Sequence, residues 1–567
     1  MGLLGALHTA RTGLATNRTA LEVVGNNLAN AATAGYSRQR AVVTSGTGVE
    51  VIPGAFVGTG TRLAEISRAV DEAVLTRLRV AVSDQHASLA RQDILSQIET
   101  LENELSDQGL SSRLNQMFNA FAEVAGNPTD TGLRALATAE GEGLARFINN
   151  MQRDLVSLRN QVDDGIRSSV RTADGILDQI ADLNSRIVTA ERGLGGANEL
   201  RDERDRLLSE LSELVDITTV EQTNGTVDVF VNSLPIVLNA QNRGLEVESR
   251  VEDGELKTFL RISADGSRLE PKSGRVGQLI ETRESDVNET IATLDQFTAG
   301  LIFEVNKLHS SGQGLDGFAA VSGTYGVDDP TLALNIGEAG LSFPPSNGSF
   351  VLHVTQQSTG QRLSTRIDVD LDGVGADTSL NDLAAAINAV GNVSASITAN
   401  GKLEIASTSS DFRFSFSDDS SSVLASLGIN TFFTGDRGAD IAVNTVVAND
   451  PRALAVGREH ISGDNRVALA ISQAGDQVVS ALGGLTLKGF WRGHVEDLAI
   501  QTDQTSRQAE SGALIAEGLK AQRESVSGVN VDEEAIDMLA FQRAFQGSAR
   551  FITVVDDLMQ TLLSLVG

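Results

Sequence analysis

The sequence predicts a mainly α-helical, elongated multi-domain protein with a β-rich region inserted into it. Three observations carry that prediction. Both ends of the chain bear matching heptad stripes, long interior stretches keep helical periodicity, and one internal block switches to short alternating runs rich in Ser, Gly, Thr, Asp and Asn. A chain of 567 residues has room for about three or four domains. Aromatics make up 4%, with one Trp, two Tyr and eight Pro, so aliphatic helix seams suit the chain better than large aromatic cores.

At the N-terminus Leu3, Leu7, Ala10, Leu14, Asn17, Leu21, Val24, Leu28 and Ala31 follow a 4-3 spacing, and at the C-terminus Met538, Phe541, Phe545, Ser548, Ile552, Val555, Met559 and Leu562 repeat it. A period of 3.5 sets each group on one stripe of a helix. At 1.5 Å per residue each helix would span roughly 45 Å. A stripe of that length is marginal until it finds a partner. The economical arrangement pairs the two ends as an antiparallel coiled coil, in preference to two helices packing separately into ordinary cores. Asn17 and Ser548 interrupt the stripes, and polar residues at such positions fix register at some cost in stability.

The first helix should stop near Gly35, glycine being the usual residue just past a helix end. Residues 40–66 read as short strands and turns, from Val49/Val51 alternation broken by Gly48, Pro53-Gly54, Gly58 and Gly60. From about 68 to 215 the pattern is helical. Ile94, Ile98, Leu101 and Leu105 mark one face and Met151, Leu155, Leu158 and Val162 another, with breaks at Asn127-Pro128 and Gly193-Leu194-Gly195-Gly196. Residues 216–270 turn to β, with a hairpin signal at Asn224-Gly225 before Val227, Val229 and Val231. Helix returns at about 276–310 on Ile291, Leu294, Phe297 and Leu301. Then the composition changes over 320–450, with Phe350–Val354 and Phe412–Phe416 as strands and one helix at 380–390. Helix resumes after about 465. The domain boundaries that follow are 1–40 with 528–567 for a terminal helical domain, 41–318 with 455–527 for a helical bundle with short β segments, and 319–454 for the β-rich insertion.

Composition excludes several classes of function. A net charge of −30 and a pI near 4.6 oppose nucleic acid and anionic membrane surfaces. No run of 18 apolar residues would span a bilayer. With no cysteine there are no disulfides, thiolate zinc sites or cysteine nucleophiles. The first residues show neither a basic n-region nor an A-x-A site, so a cleaved secretory signal is not expected.

No catalytic, cofactor-binding or metal-ligating residue is assigned. Asp368-x-Asp370-x-Asp372-Gly373 copies the opening of a calcium loop, but its twelfth position is Ser379 rather than Glu. Ile367, Val369 and Leu371 alternate with the acids, which reads as a half-buried strand. The six histidines, His8, His86, His309, His353, His460 and His494, share no metal-ligand spacing. G-x-S-x-G, a Walker loop and G-x-G-x-x-G are absent, and Gly58-Thr59-Gly60 reads as a turn. Asp532-Glu533-Glu534 could mimic a glycosidase pair, but at a helix start it reads as a solvated cap opposing the macrodipole.

One stretch is specific. Asn26-Asn27-Leu28-Ala29-Asn30, then Thr33 and Gly35-Tyr36-Ser37-Arg38-Gln39, resembles the N-terminal signature of bacterial flagellar rod, hook and hook-associated proteins; Ser527 to Leu563 resembles the matching C-terminal signature. Asn198 to Ile217 and Ser462 to Arg466 narrow the resemblance to the hook-associated protein 1 family. Ser379 to Ile405 is similar to an insertion motif of flagellin-type proteins.

The resemblance implies a non-enzymatic structural subunit of the flagellum, joining hook to filament and required for filament assembly. It implies terminal helices lining the inner wall of a tube, with the insertion outside. The seam would be formed by Leu7, Leu14, Asn17, Leu21, Val24, Leu28, Met538, Phe541, Phe545, Ile552, Val555, Met559 and Leu562, and the axial motif by Asn26, Asn27, Asn30, Thr33, Gly35, Tyr36, Arg38 and Gln39. Tyr36 and Arg38 read equally as contact residues or as a polar loop. Implied partners are further copies in a ring, the hook protein, the second hook–filament junction protein, and an export chaperone on the C-terminal segment. No cofactor, nucleic acid or membrane is implied. The expected location is extracellular, on the flagellum, after export without a cleaved signal. The alternatives are another axial protein, hook or flagellin-like, and a secreted flagellum-associated enzyme.

Overall fold

Residues 2–104, 106–192, 196–252, 255–459, 461 and 463–566 are described by the structure, a computed structural model. Leu105, Gly193-Leu194-Gly195, His460, Ser462 and the side chain of Val51 lie outside the described residues. The helices are α1 (Leu3–Ala29), α2 (Glu72–Glu102), α3 (Leu110–Gly126), α4 (Thr131–Ala190), α5 (Asn198–Leu214), α6 (Gly274–Thr282), α7 (Asn288–Ser310), α8 (Leu380–Asn388), α9 (Val423–Ser426), α10 (Thr445–Asn449), α11 (Arg466–Ala474), α12 (Leu487–Ser527) and α13 (Val531–Val566). Between them run short antiparallel sheets. The chain divides into two compact units: Met1–Ile94, Gln161–Glu284 and Asp503–Gly567 form one, and Leu95–Asn160 with Ser285–Thr502 the other.

In the first unit α1 and α13 lie side by side and antiparallel. Asn27, near the end of α1, meets Glu534 at the start of α13, and Gly13 faces Ser548. A Cβ on Gly13 would stand 3.2 Å from the Ser548 hydroxyl, so the helices approach closely there. Strand Gln39–Ser45 pairs with Thr61–Arg68, and the smaller hairpin Val49–Ile52 with Ala55–Val57 extends from it. Gly58-Thr59-Gly60 links Ala55–Val57 to Thr61–Arg68 as irregular backbone: Gly60 has φ +104°, and a Cβ there would meet the Thr12 hydroxyl of α1 at 2.1 Å. Further along, Thr218–Glu221 and Val227–Val231 form the hairpin signalled by Asn224-Gly225, with Gly225 at φ +87°. Val227, Val229 and Val231 are buried.

Two details depart from the sequence reading. α1 stops at Ala29, six residues before Gly35. The Asn30 amide caps it, its side chain reaching back to the Asn26 carbonyl at 3.0 Å, and Gly35 (φ +84°) serves the following turn. Side-chain donors at 26–30 end the helix before any glycine is needed. Between α6 and α7 lies a π-helical turn, Arg283–Val287, where helix was expected to continue. Arg283 is fully buried there and gives Nε–H to Asp163 at 2.6 Å.

In the second unit α3 and α7 each bury an apolar face. Leu110, Leu114, Met117, Phe118, Phe121 and Val124 form the buried face of α3, while Leu294, Phe297 and Leu301 serve α7. Trp491 is packed at 5.6 Å against Phe297 and donates to Glu104 at 2.7 Å. The inserted region has its own core, from Val327 to Ile429, built on two three-stranded sheets and α8. Phe432 packs instead with Phe121 and His309, and Phe433 against Phe432. Ile367, Val369 and Leu371 are buried between exposed Asp368, Asp370 and Asp372, as alternation requires. Ser379 is the N-cap of α8 and forms a capping box with Asp382.

Candidate functional site

Three stretches far apart in sequence meet in one polar knot of the first unit. Asn27 is at its centre, 1% exposed. Its amide nitrogen donates to the Gln39 carbonyl (2.9 Å) and to Glu534 (3.0 Å), and its amide oxygen accepts from the Gln39 N–H and the Tyr36 hydroxyl, both at 2.9 Å. All its hydrogen-bonding capacity is therefore directed to closing the turn after α1 and fastening α13. Arg38 lies alongside, giving Nε–H to Glu534 at 2.6 Å, with Glu533 at 3.0 Å and Asp537 at 3.5 Å. The Arg38 N–H also donates to the Ser527 carbonyl at the end of α12.

A second set of acids, from α5, closes the other side. Asp202 accepts from the buried Ser37 N–H at 3.1 Å and from Arg68 at 2.8 Å, and Asp205 accepts from Arg68 at 2.8 Å. Glu199 receives the Gln39 amide at 3.3 Å, and Asn198 donates to the Ile66 carbonyl. Burial, followed by the negative charge of Asp202, Glu199 and Glu534, pushes the Tyr36 hydroxyl up to about 12, so it is a permanent donor. Burial alone would lower Arg68, but Asp205 and Asp202 outweigh it and raise its pKa. For Arg79, 5% exposed and 3.5 Å from Asp205, burial wins and the pKa falls.

Glu534 corrects the sequence reading. Asp532 and Glu533 are exposed, but Glu534 is 1% exposed and bound by Arg38 and Asn27, so the triplet is not a solvated cap. Asp202, Glu199 and Arg68 were also missed as individuals. Charges in a helical stretch such as Asn198–Leu214 read as solvated until the partner strand is placed. Of the other motif positions, Asn30 bonds back to Asn26, Thr33 donates to Asn30 at 3.2 Å, and Gly35 offers its carbonyl to Arg523.

The heptad stripes are only partly covered. On α1 the buried residues are Ala10, Thr16, Ala20, Val23, Val24 and Asn27; Leu7, Leu14, Asn17 and Leu21 are half-buried, and Leu28 and Ala31 exposed. On α13 Val555 is buried, Met538, Phe541, Phe545, Ser548, Ile552 and Met559 are half-buried, and Leu562 is exposed. Outside these, Ile536, Leu539, Phe551, Val554 and Leu558 face solvent. A long helix with this much open apolar surface is built to be covered.

Comparison with known proteins points the same way. Family profiles match at residues 7–36 (flagella basal body rod protein), 95–323 (flagellar hook-associated protein FlgK helical domain), 350–409 (flagellin hook IN motif) and 521–565 (flagellar basal body rod FlgEFG protein C-terminal). Flagellar hook-associated protein 1 of Salmonella typhimurium is 25% identical over 99% of both chains, and that of Escherichia coli K12 is 22% identical over 99% of both. Over its full length the chain is similar to hook-associated protein 1, and at both ends to flagellar rod proteins. Its fold is similar to the flagellar hook junction protein FlgK of Burkholderia pseudomallei, with a TM-score of 0.50, 14% identity, and 80% of this chain and all of that one covered.

Three histidines hold structure. His309 is fully buried; its Nδ1 is 2.8 Å from the Asn430 carbonyl, and its Nε2 accepts from the Ala455 N–H at 2.9 Å. His353 bridges the Ser364 and Ser417 hydroxyls at 2.7 and 2.8 Å. His494 bonds Glu102 at 2.7 Å. Asp370, Asp372 and Asp377 bring carboxylate oxygens within 4.8 Å of one another, but they sit on a largely exposed turn, and Ser379 is committed to α8.

Proposed function

We infer that this chain is a structural subunit of the bacterial flagellum that joins hook to filament, and that filament assembly requires it. The observation that carries this is the agreement of full-length similarity with the polar knot. The residues carrying the axial-protein resemblance at the two chain ends, Asn27, Tyr36, Arg38 and Glu534, bond to one another.

Several finer readings extend it. The terminal helices form the inner-core domain (1–40 with 528–567) and pair as a coiled coil, and 319–454 is an outer domain. The partly covered stripe from Leu7 to Leu28 and from Met538 to Leu562 is the seam that neighbouring copies cover. Its open apolar surface supports this, because such helices gain more from neighbours than from propensity. The axial motif from Asn26 to Gln39 acts inside each subunit, holding the two helices at a fixed register. The other partners are the hook protein, the second junction protein and an export chaperone on the C-terminal helix. The chain is exported to the flagellum, and it carries no enzymatic activity.

A deletion strain tests the reading. It should build hooks and shed filament protein into the medium, with complementation restoring filaments. Normal filaments on the deletion strain would overturn the junction role.

A further inference from the structure

We propose that a pocket of the second unit, walled by the start of α4, the strand Gly348–Gln356, the loop at 313–317 and residues Gly457, Ile461, Gly463 and Asp464, binds a small multivalent oxyanion such as phosphate or a compact polycarboxylate. The pocket encloses about 540 Å³, enough for either.

Arg134 lies in its wall, 3% exposed. It gives Nε–H to the Pro128 carbonyl at 2.8 Å and Nη1–H to the Leu454 carbonyl at 2.6 Å. Among the described residues no carboxylate pairs with it, and Nη2 has no protein acceptor. A guanidinium buried without a counter-charge is costly, and chains ordinarily supply one. Burial pulls its pKa down to about 10, which leaves it charged at neutral pH.

A second observation comes from Thr355, also in the lining. The Thr355 hydroxyl is buried and bonds to nothing. Strand register sets Thr355 between Arg413 and Arg362, and cross-strand neighbours share a face. Arg362 is taken up by Glu459 at 3.5 Å. Among the described residues Arg413 reaches only the carbonyls of Ser410 and Phe412. The acids that line the pocket are already used, Asp316 by Arg452 at 2.7 Å and Asp464 by Arg466 at 3.0 Å. Two guanidiniums and a hydroxyl therefore line one cavity without an anion from the chain. Planar guanidinium donors match the oxygens of phosphate and carboxylate. With a net charge of −30 the chain as a whole repels anions, so an anion held here is held by these donors and not by the general field.

The test titrates the full-length protein with inorganic phosphate and, separately, citrate, at ionic strength held constant with sodium chloride. Melting is followed by the fluorescence of Trp491, the only tryptophan. A ligand that binds the native state raises the melting temperature with the logarithm of its concentration. Calorimetric titration should show R413A binding roughly tenfold or more weakly than the parent chain, with a smaller loss in T355V. Arg134→Gln risks the fold, so those two carry the test, with circular dichroism confirming that they fold. The relative response to phosphate and citrate identifies the anion class. Absence of a shift with both ligands, or unchanged affinity in folded R413A, overturns the proposal.

Discussion

Glu534→Gln is the sharpest test of the knot. The substitution keeps size and shape but removes the charge that Arg38 meets at 2.6 Å and that the Asn27 amide meets at 3.0 Å. Breaking a buried ion pair costs about 3–5 kcal/mol when the surviving charge is stranded. Arg38 is not stranded here, because Glu533 at 3.0 Å and Asp537 at 3.5 Å remain, both largely exposed. The loss should therefore fall to that of charge-assisted hydrogen bonds, about 2–3 kcal/mol. A change of that size raises the population of a locally opened state roughly 30- to 150-fold. Hydrogen exchange on a verified monomer reads it directly. Amides at 20–29 and 531–540 should exchange faster by that factor, while those of α3 in the second unit hold their rates. The distal parts of α1 and α13, where Leu4 and Leu565 are exposed, should exchange rapidly already in the parent chain. Exchange at 20–29 within about threefold of the parent would refute the reasoning. The knot would then be ornamental to the pairing of the ends.

The other predictions concern burial and assembly. His309 is pushed down to about 4 by burial, and its neutral ring already has a donor site and an acceptor site filled. The unfolded chain then binds more protons than the folded chain between pH 6.5 and about 4. Stability from this group is full above pH 6.5 and is lost as pH falls toward 4, by about 3 kcal/mol; H309Q should flatten that part of the melting profile, and an unchanged slope would count against it. Ile552→Asp puts a charge into a half-buried stripe, so incorporation into flagella should fail while the monomer keeps its melting behaviour; intact junctions would mean that the stripe faces solvent in the assembly. Removing 319–429 should leave a cooperative Trp491-detected transition, because that segment carries its own core. Extending the deletion through 454 strips Phe432 from Phe121 and should cost about 3–5 kcal/mol more; equal melting of the two deletions would show that Phe432 adds nothing.

The sequence by itself determined what is periodic or local. The faces of α2, α4 and α7, the Asn224-Gly225 hairpin and the alternation around Asp370 appear as expected, because a helix or strand repeats its environment every few residues. Only tertiary structure decided which part of each stripe is covered. On α1 small residues, Ala10, Thr16 and Ala20, are among the buried positions, because α13 approaches to the Cβ limit at Gly13 and the Gly60 backbone presses on Thr12. Periodicity marks the stripe but cannot say how near the partner comes. The same holds for Glu534, Asp202 and the end of α1 at Ala29. Each depends on a residue between 160 and 510 positions away, or on a side-chain hydrogen bond that competes with the helix. Whether a carboxylate is solvated or buried is fixed by its partner in space, and a local window of sequence carries no trace of that partner.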